Sequence, residues 1–207
     1  MRYLALGDSY TIGTGASAEA NNYPSILAKR LADETGTKVE VSNPAVNGFT
    51  TVDLIRSELS YVDRLKPELV SILIGVNDLV QGRTPGDYKK LLARIYDTVD
   101  ALGLATDHVV AISIPDWSAV PAATTFGNPQ GIKSLTETFN EIARSEADKR
   151  GFMWIDIGPV STSQLGSAGW ISSDQLHPGD PQYAAWADVI WEAVREPWTA
   201  AAEAARP

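Results

Sequence analysis

The chain has 207 residues, 44% hydrophobic and 21% charged, so it is long enough to bury a sizeable core as a single globular domain. Lys and Arg number 17 against 26 Asp and Glu, a formal charge of −9, which argues against nucleic-acid and anionic-lipid partners because both require clustered cations. There are no cysteines and two histidines, which excludes disulfides, thiolate metal sites, a cysteine nucleophile and any site with three histidine ligands.

Five short apolar runs have the length of strands, and most are rich in Val and Ile. They occupy residues 3–7, 39–42, 69–75, 108–114 and 152–157. The third run is apolar on both faces apart from Ser71, which is typical of a central parallel strand covered by helices on both sides.

Segments with helical periodicity follow these runs at 23–35, 51 to about 61, 87–102, about 132–150 and from 180 onward. For the last helix we predict Asp180 as N-cap and Pro181 as first residue, with Trp186 and Trp191 in the core. The alternation predicts an α/β fold with a parallel sheet between two helix layers. We interpret residues 1–207 as one domain and expect the Ala-rich tail 199–207 to fray.

Two segments are longer than a simple connection requires, 115–131 and 158–173. Both follow strands, and open α/β sheets bind ligands beyond the carboxyl ends of their strands. Trp117, Phe126 and Trp170 in these segments either wall a substrate pocket or cover the edge of the sheet, and the sequence favours neither.

The sequence has no recognisable targeting segment. The apolar run at residues 3–7 is too short for a signal peptide, and the run 69–76 is far shorter than the roughly 20 residues that span a bilayer. We therefore expect a cytoplasmic protein without stable membrane insertion, although a secreted form that has lost its signal peptide would have the same sequence. The oligomeric state has no signature in the sequence.

The segment 7–10 (GDSY) directly follows the first strand. Gly7 permits a sharp turn there, which would present Ser9 at the carboxyl end of the sheet. The same residues are also compatible with an ordinary β-to-α turn.

Asp174 and His177 are three residues apart, which would place both side chains on one side of a helical turn. An ionised Asp174 could then hold the imidazole in one tautomer and stabilise its cation. The alternative is a surface loop before the last helix. The other histidine, His108, lies at the amino end of the fourth strand, and we interpret it as structural.

Two further polar segments follow strands, the segment 75–78 (GVND) and Asn47-Gly48. Both are compatible with simple turns. In the functional interpretation, the Asn77 amide donates to a developing oxyanion and the Gly48 N–H points into the same crevice.

Together the four segments resemble the conserved blocks of the SGNH hydrolases, also called GDSL esterases/lipases. Segments 7–9, 75–78 and 174–177 match the first, third and last blocks, and Gly48 matches the second, while Tyr10 stands where many members have Leu. The resemblance covers residues 3 to about 195. It implies a flavodoxin-like, three-layer α/β/α sandwich with a five-stranded parallel sheet in the order 2-1-3-4-5.

The resemblance also implies a serine esterase acting on a small-molecule ester. Ser9 would be the nucleophile, His177 its base and Asp174 the partner of His177, while Ser9, Gly48 and Asn77 would form the oxyanion hole. It implies neither a metal nor an organic cofactor. Family members act on short-chain esters, lipids, thioesters, aryl esters and acetylated sugars, so the acyl and alcohol specificity stays open.

Two other hypotheses fit parts of the sequence. A metal-dependent phosphoesterase would use Asp8, Asp78, Asp174 and His177, although such sites usually draw on several histidines. A non-catalytic flavodoxin-like module would bind phosphate at residues 11–15 (TIGTG), which lack the Lys and the spacing of a P-loop.

Overall fold

The computed structural model describes residues 1–205 and contains one wholly parallel five-stranded sheet. The strands β1 to β5 are Arg2–Gly7, Glu40–Ser42, Leu69–Leu73, Val109–Ile112 and Met153–Ile155. Their order across the sheet is β2-β1-β3-β4-β5. The predicted fold class is therefore confirmed, and every predicted strand is present within one or two residues of its expected bounds.

The central strand β3 is buried along its whole length, as its apolar composition predicts. Its one polar side chain, Ser71, lies 2.7 Å from the Tyr3 hydroxyl, so this buried group has a hydrogen-bond partner. β1 runs beside β3 with Gly7 opposite Leu73. The segments that follow these two strands therefore leave the sheet side by side.

Residues 1–205 contain nine α-helices in two layers. Numbered α1 to α9, they are Ser9–Ile12, Tyr23–Thr35, Thr51–Ser57, Ser60–Leu65, Val76–Val80, Pro85–Asp100, Pro129–Asp148, Gly158–Thr162 and Asp180–Ala204. α2 packs against α9, whereas α6 packs against both α3 and α7 on the other side. The predicted helices corresponding to α2, α6, α7 and α9 are confirmed. The helices α1, α5 and α8 were not predicted, because four or five residues are too few to show a periodicity.

The single helix predicted from residue 51 to about 61 is wrong, since two helices, α3 and α4, occupy this region. The Leu59 N–H donates to the Leu54 carbonyl at 3.2 Å, five residues back rather than four, and the helix is interrupted there. Glu58, at the interruption, is fully buried.

The last helix differs from its prediction at both ends. Asp180 is its first residue rather than its N-cap, and its carboxylate accepts the Ser17 N–H at 2.8 Å and the Ser17 hydroxyl at 2.5 Å. Residues 199–204 continue α9 as a regular helix in which Ala202 is fully buried, and residues 206–207 lie outside the described part. None of the helices within residues 1–205 is both long and apolar enough to cross a membrane.

Candidate active site

Ser9 lies at the carboxyl edge of the sheet, as the first residue of α1 and two residues beyond the end of β1. The Tyr10 N–H donates to the Asp8 carboxylate at 3.1 Å, so Asp8 caps the short helix. A Cβ at Gly7 would lie 2.3 Å from the Leu73 carbonyl oxygen, a distance that no side chain tolerates. Glycine is therefore required at the point where β1 passes into the turn that carries Ser9.

Asp174 and His177 form a hydrogen-bonded pair, with His177 Nδ1 at 2.6 Å from Asp174 Oδ2. The other carboxylate oxygen accepts the backbone N–H groups of His177 and Leu176, both at 2.9 Å, and the Ser172 hydroxyl at 2.7 Å. The predicted pairing is present, but it does not rest on a helical turn. The residues lie in an irregular loop in which Gln175 has a φ of +66°.

The loop determines the charge of Asp174. Partial burial acts to raise the pKa of this carboxyl, but the hydrogen bonds from the His177 N–H, the Ser172 hydroxyl, the His177 ring and the Leu176 N–H outweigh it and lower the pKa well below its usual range. Asp174 is thus ionised at neutral pH and accepts a hydrogen bond from the Nδ1–H group of His177. The Nε2 atom of neutral His177 is then free to act as a base.

Tyr10 connects the serine turn to the histidine. Its ring lies edge-on to the His177 imidazole, with ring centroids 6.0 Å apart, and edge-on to Trp186 at 5.7 Å. His177 is therefore packed beside the residue that follows Ser9. No hydrogen bond joins the Ser9 hydroxyl to His177 among the described residues, and such contacts are often long in proteins without bound substrate.

The Asn77 side chain is joined to Phe49, the residue after Gly48, by a hydrogen bond across 28 residues of sequence. The Asn77 Nδ2 donates one hydrogen to the carbonyl of Phe49 at 2.9 Å, which leaves its second hydrogen available. Gly48 precedes Phe49 and has a φ of +80°, a left-handed conformation that glycine adopts without strain. The hydrogen bond thus holds the Asn77 side chain against the loop that contains Gly48.

The Gly48 loop is tied to the elements on both sides of it. The Thr14 hydroxyl donates to Asn47 Oδ1 at 2.5 Å, which fastens the loop to the segment after α1. On the other side, the carboxylate of Asp78 accepts the backbone N–H and hydroxyl of Thr51 at 2.8 and 2.7 Å. These contacts hold the loop between the ends of β1 and β3, which carry Ser9 and Asn77.

The site for the metal hypothesis does not form. Within residues 1–205 no three His, Asp or Glu side chains come close enough together to hold a metal ion, so Asp8, Asp78, Asp174 and His177 are not a ligand set. The phosphate-loop hypothesis also lacks its geometry. Gly13 ends α1 in a left-handed conformation, whereas a phosphate loop leads into the start of a helix.

The two long segments contribute only a few residues to a cleft that does not include Ser9. A cleft of about 430 Å³ opens between α7 and α8, and Asp116, Trp154 and Pro159 are among its lining residues, while none of the predicted site residues is. Trp170 is a core residue whose Nε1 donates to the Ser161 carbonyl at 2.9 Å. Trp117, Phe126 and Trp170, the aromatic residues of these segments, do not line this cleft.

Sequence reasoning missed one functional candidate, Glu58. Its carboxylate accepts the Gly7 N–H at 2.9 Å, two residues before Ser9, although it is fully buried. A signal was present in the sequence, because Glu58 lies on the same helical stripe as Leu54 and Val62, and a charged residue on an apolar stripe is unusual.

Known proteins are similar to this chain over most of its length. The sequence model of the GDSL-like lipase/acylhydrolase family matches residues 5–185. A GDSL-like esterase of Mycobacterium tuberculosis is 28% identical over 204 residues, which are 95% of this chain and 62% of that protein, so this chain spans less than two thirds of that relative. The esterase TesA of Pseudomonas aeruginosa is 24% identical over 193 residues, 93% of this chain and 87% of TesA.

Solved structures share the fold. A crystal structure of TesA matches with a TM-score of 0.74 at 23% identity, covering 96% of this chain and 99% of that one. A crystal structure of an acetylxylan esterase from Geobacillus stearothermophilus matches with a TM-score of 0.74 at 16% identity, covering 93% of each chain. At these identities the likeness is one of architecture.

Proposed function

The chain belongs to the GDSL-like lipase/acylhydrolase family, and we propose that it cleaves carboxylic esters through an acyl-enzyme formed on Ser9. His177 is the general base and acid, and Asp174 orients it. The Ser9 N–H, the Gly48 N–H and the Asn77 amide are the oxyanion donors. The observation that carries the proposal is the Asp174–His177 pair, packed through Tyr10 against the turn that bears Ser9.

In the first half of the reaction, Ser9 Oγ attacks the ester carbonyl while His177 Nε2 takes its proton. The carbonyl oxygen becomes an oxyanion and receives hydrogen bonds from the three donors. The C–O bond to the alcohol then breaks, and His177 gives its proton to the departing oxygen. The products of this half are the free alcohol and an ester of Ser9.

In the second half, water attacks the Ser9 ester while His177 takes a proton from it. Collapse of the second oxyanion returns the proton to Ser9 Oγ and releases the acid. Throughout both halves, ionised Asp174 stabilises the imidazolium that forms on His177. These steps use only groups of this chain, a water molecule and the ester.

The substrate class is a small-molecule ester. Relatives are named esterase, lipase and arylesterase, and a structural neighbour is an acetylxylan esterase, so the range of acyl and alcohol groups to test is wide. A panel of p-nitrophenyl esters from acetate to palmitate, together with an acetylated xylooligosaccharide, separates these classes. The acyl length with the highest kcat/KM then gives the size of the acyl site.

The test compares the wild type with Ser9→Ala and with Ser134→Ala, which removes an exposed hydroxyl on α7. We expect hydrolysis by the wild type and by Ser134→Ala, and none above background by Ser9→Ala with an unchanged circular dichroism spectrum. Hydrolysis by Ser9→Ala at the wild-type rate would contradict the proposal, as would a wild type that cleaves none of the esters.

A further inference from the structure

A buried carboxyl group lies directly beneath the turn that carries Ser9. Glu58 has no exposed surface, and its Oε2 accepts the backbone N–H of Gly7 at 2.9 Å. Gly7 is the last residue of β1 and is linked to Ser9 by one residue, Asp8. The contact therefore anchors the backbone at the point where the strand becomes the serine turn.

Glu58 lies at the interruption between the helices α3 and α4. The Leu59 N–H donates to the Leu54 carbonyl, five residues back, instead of to the Ile55 carbonyl, four residues back. A new helix begins at Ser60. A hydrogen bond of this i→i−5 type forms a π-turn, which ends a helix. The interruption places the Glu58 carboxyl against β1 in the interior of the protein.

A second buried carboxyl shares this environment. Asp8 also has no exposed surface, and its Oδ1 accepts the Tyr10 N–H at 3.1 Å. Among the described residues, Glu58 Oε1 and Asp8 Oδ2 are both buried without a hydrogen-bond partner. Glu58 thus accepts the Gly7 N–H and Asp8 accepts the Tyr10 N–H, on either side of Ser9 in the sequence. Because the second oxygen of each carboxyl has no partner, a negative charge on either group would be costly.

The groups around the two carboxyls do not neutralise them. Tyr23 on α2 lies near both carboxyls, and Asp78, which lies near Asp8, is already paired with Arg83. Three further tyrosines lie near Asp8, namely Tyr10 on α1, Tyr88 on α6 and Tyr183 on α9. Burial raises the pKa of Glu58 to about 8, with the Gly7 hydrogen bond lowering it and Asp8 raising it further. Burial raises the pKa of Asp8 to about 7, with the Tyr10 hydrogen bond lowering it and Asp78 raising it.

We propose that Glu58 is a positioning residue for the nucleophile, and that its buried carboxyl holds the Gly7 N–H so that the turn presents Ser9 to the ester. Asp8 holds the same turn from the Tyr10 side. When both carboxyls are ionised, their repulsion acts across the turn and displaces Ser9. The inference rests on the proposed role of Ser9 as nucleophile.

Two substitutions separate the hydrogen bond from the charge. Glu58→Gln keeps an oxygen that accepts the Gly7 N–H and cannot ionise, whereas Glu58→Leu keeps most of the volume and removes the acceptor. The matched control is Glu146→Leu, which removes another buried glutamate. Glu146 lies near the carboxyl end of α7, the helix that leads into the amino end of β5, so it is at the opposite edge of the sheet from Ser9.

The first measurement is the kcat and KM for p-nitrophenyl acetate at pH 7, well below the unfolding temperature of each variant. We expect Glu58→Gln to stay within twofold of the wild type, and Glu58→Leu to lose at least tenfold in kcat with KM changed less than twofold. The control Glu146→Leu should unfold at a lower temperature and keep its kcat. A folded Glu58→Leu with a kcat within twofold of the wild type would overturn the proposal.

The second measurement is the dependence of kcat on pH for the wild type and Glu58→Gln, and it decides the matter even where Glu58→Leu does not fold. We expect the wild-type kcat to fall as the pH rises above about 8 and the Glu58→Gln kcat to stay constant to higher pH. Coincident alkaline limbs would overturn the proposal. Failure of the proposed function is a separate result, because it would appear as ester hydrolysis by Ser9→Ala.

Discussion

His177 and Asp174 are joined twice, by the ring Nδ1 to one carboxylate oxygen at 2.6 Å and by the His177 backbone N–H to the other at 2.9 Å. The two bonds fix both the position of the backbone and the orientation of the imidazole. The residue that orients the base is thus also the residue that shapes the loop. Mutations at Asp174 should therefore affect catalysis and folding together.

Replacing Asp174 with Asn should lower kcat by roughly 10²–10⁴, with a smaller change in KM. The N–H groups of Leu176 and His177 require an acceptor, so the amide oxygen faces them and the amide nitrogen faces Nδ1, from which it cannot accept a hydrogen bond. The imidazole therefore loses its preferred tautomer and the partner for its cation. Steady-state hydrolysis of p-nitrophenyl acetate measures the effect. Ser172→Ala, which removes one hydrogen bond to the same carboxylate, should have a much smaller effect, and a loss below threefold in Asp174→Asn would remove Asp174 from its role.

The contribution of Asp174 to the stability of the fold should decrease at acidic pH. Its pKa is lower in the folded chain than its usual value of 3.8, so the contribution is complete above about pH 4 and is lost as the pH falls below that value. Thermal unfolding of the wild type and Asp174→Asn at pH 6 and at pH 3 tests this. We expect the difference in Tm between them to shrink at pH 3, and a constant difference would contradict the shift.

Asn77→Ala should lower kcat by about 10²–10³, since loss of one oxyanion donor typically costs roughly 2.7–4 kcal/mol in the transition state. The substitution also removes the hydrogen bond to Phe49, so part of the loss comes from the Gly48 loop. Asn140→Ala is the control, because the Asn140 amide likewise bonds a backbone segment, at Ile114. The control should lose stability while its kcat stays within twofold of the wild type; an equal loss in both variants would deny Asn77 its role.

Gly48→Ala should lower kcat without a steric clash. No atom lies within 4 Å of a Cβ placed there, so the penalty is that of a left-handed backbone, about 1–2 kcal/mol, and relaxing it turns the Gly48 N–H away. Gly103→Ala is matched to it, with a φ of +66° and no neighbouring atom, at the end of α6. Both variants should unfold at lower temperature, and only Gly48→Ala should lose kcat. Equal kcat values would place the Gly48 N–H outside the oxyanion hole.

The sequence predicts the sheet because its signals are local. Each strand is a short apolar run, and the polar segments 7–9, 75–78 and 174–177 follow strands or precede the last helix, so their common edge of the sheet follows from parallel topology. The pairing of Asp174 with His177 was predicted from their spacing, but through a helical turn that does not form. The loop that forms the pair was not predicted, because it depends on Gln175 adopting a left-handed conformation that few non-glycine residues adopt.

Contacts between distant segments carry no such signal. The hydrogen bond from Asn77 to Phe49 and the one from the Gly7 N–H to Glu58 join residues 28 and 51 positions apart, and each depends on how elements pack after the sheet has formed. The interruption between α3 and α4 belongs to the same class. A continuous apolar stripe predicts one helix, and the buried carboxyl within that stripe lies where the structure breaks it.

The most direct test of the central claim is covalent labelling of Ser9. We would treat the wild type, Ser9→Ala and His177→Ala with a fluorophosphonate and locate the adduct by peptide mass spectrometry. The account predicts one adduct per wild-type chain, on Ser9, none in Ser9→Ala and a strongly slowed reaction in His177→Ala. A wild type that hydrolyses esters but carries its adduct on another residue would contradict it.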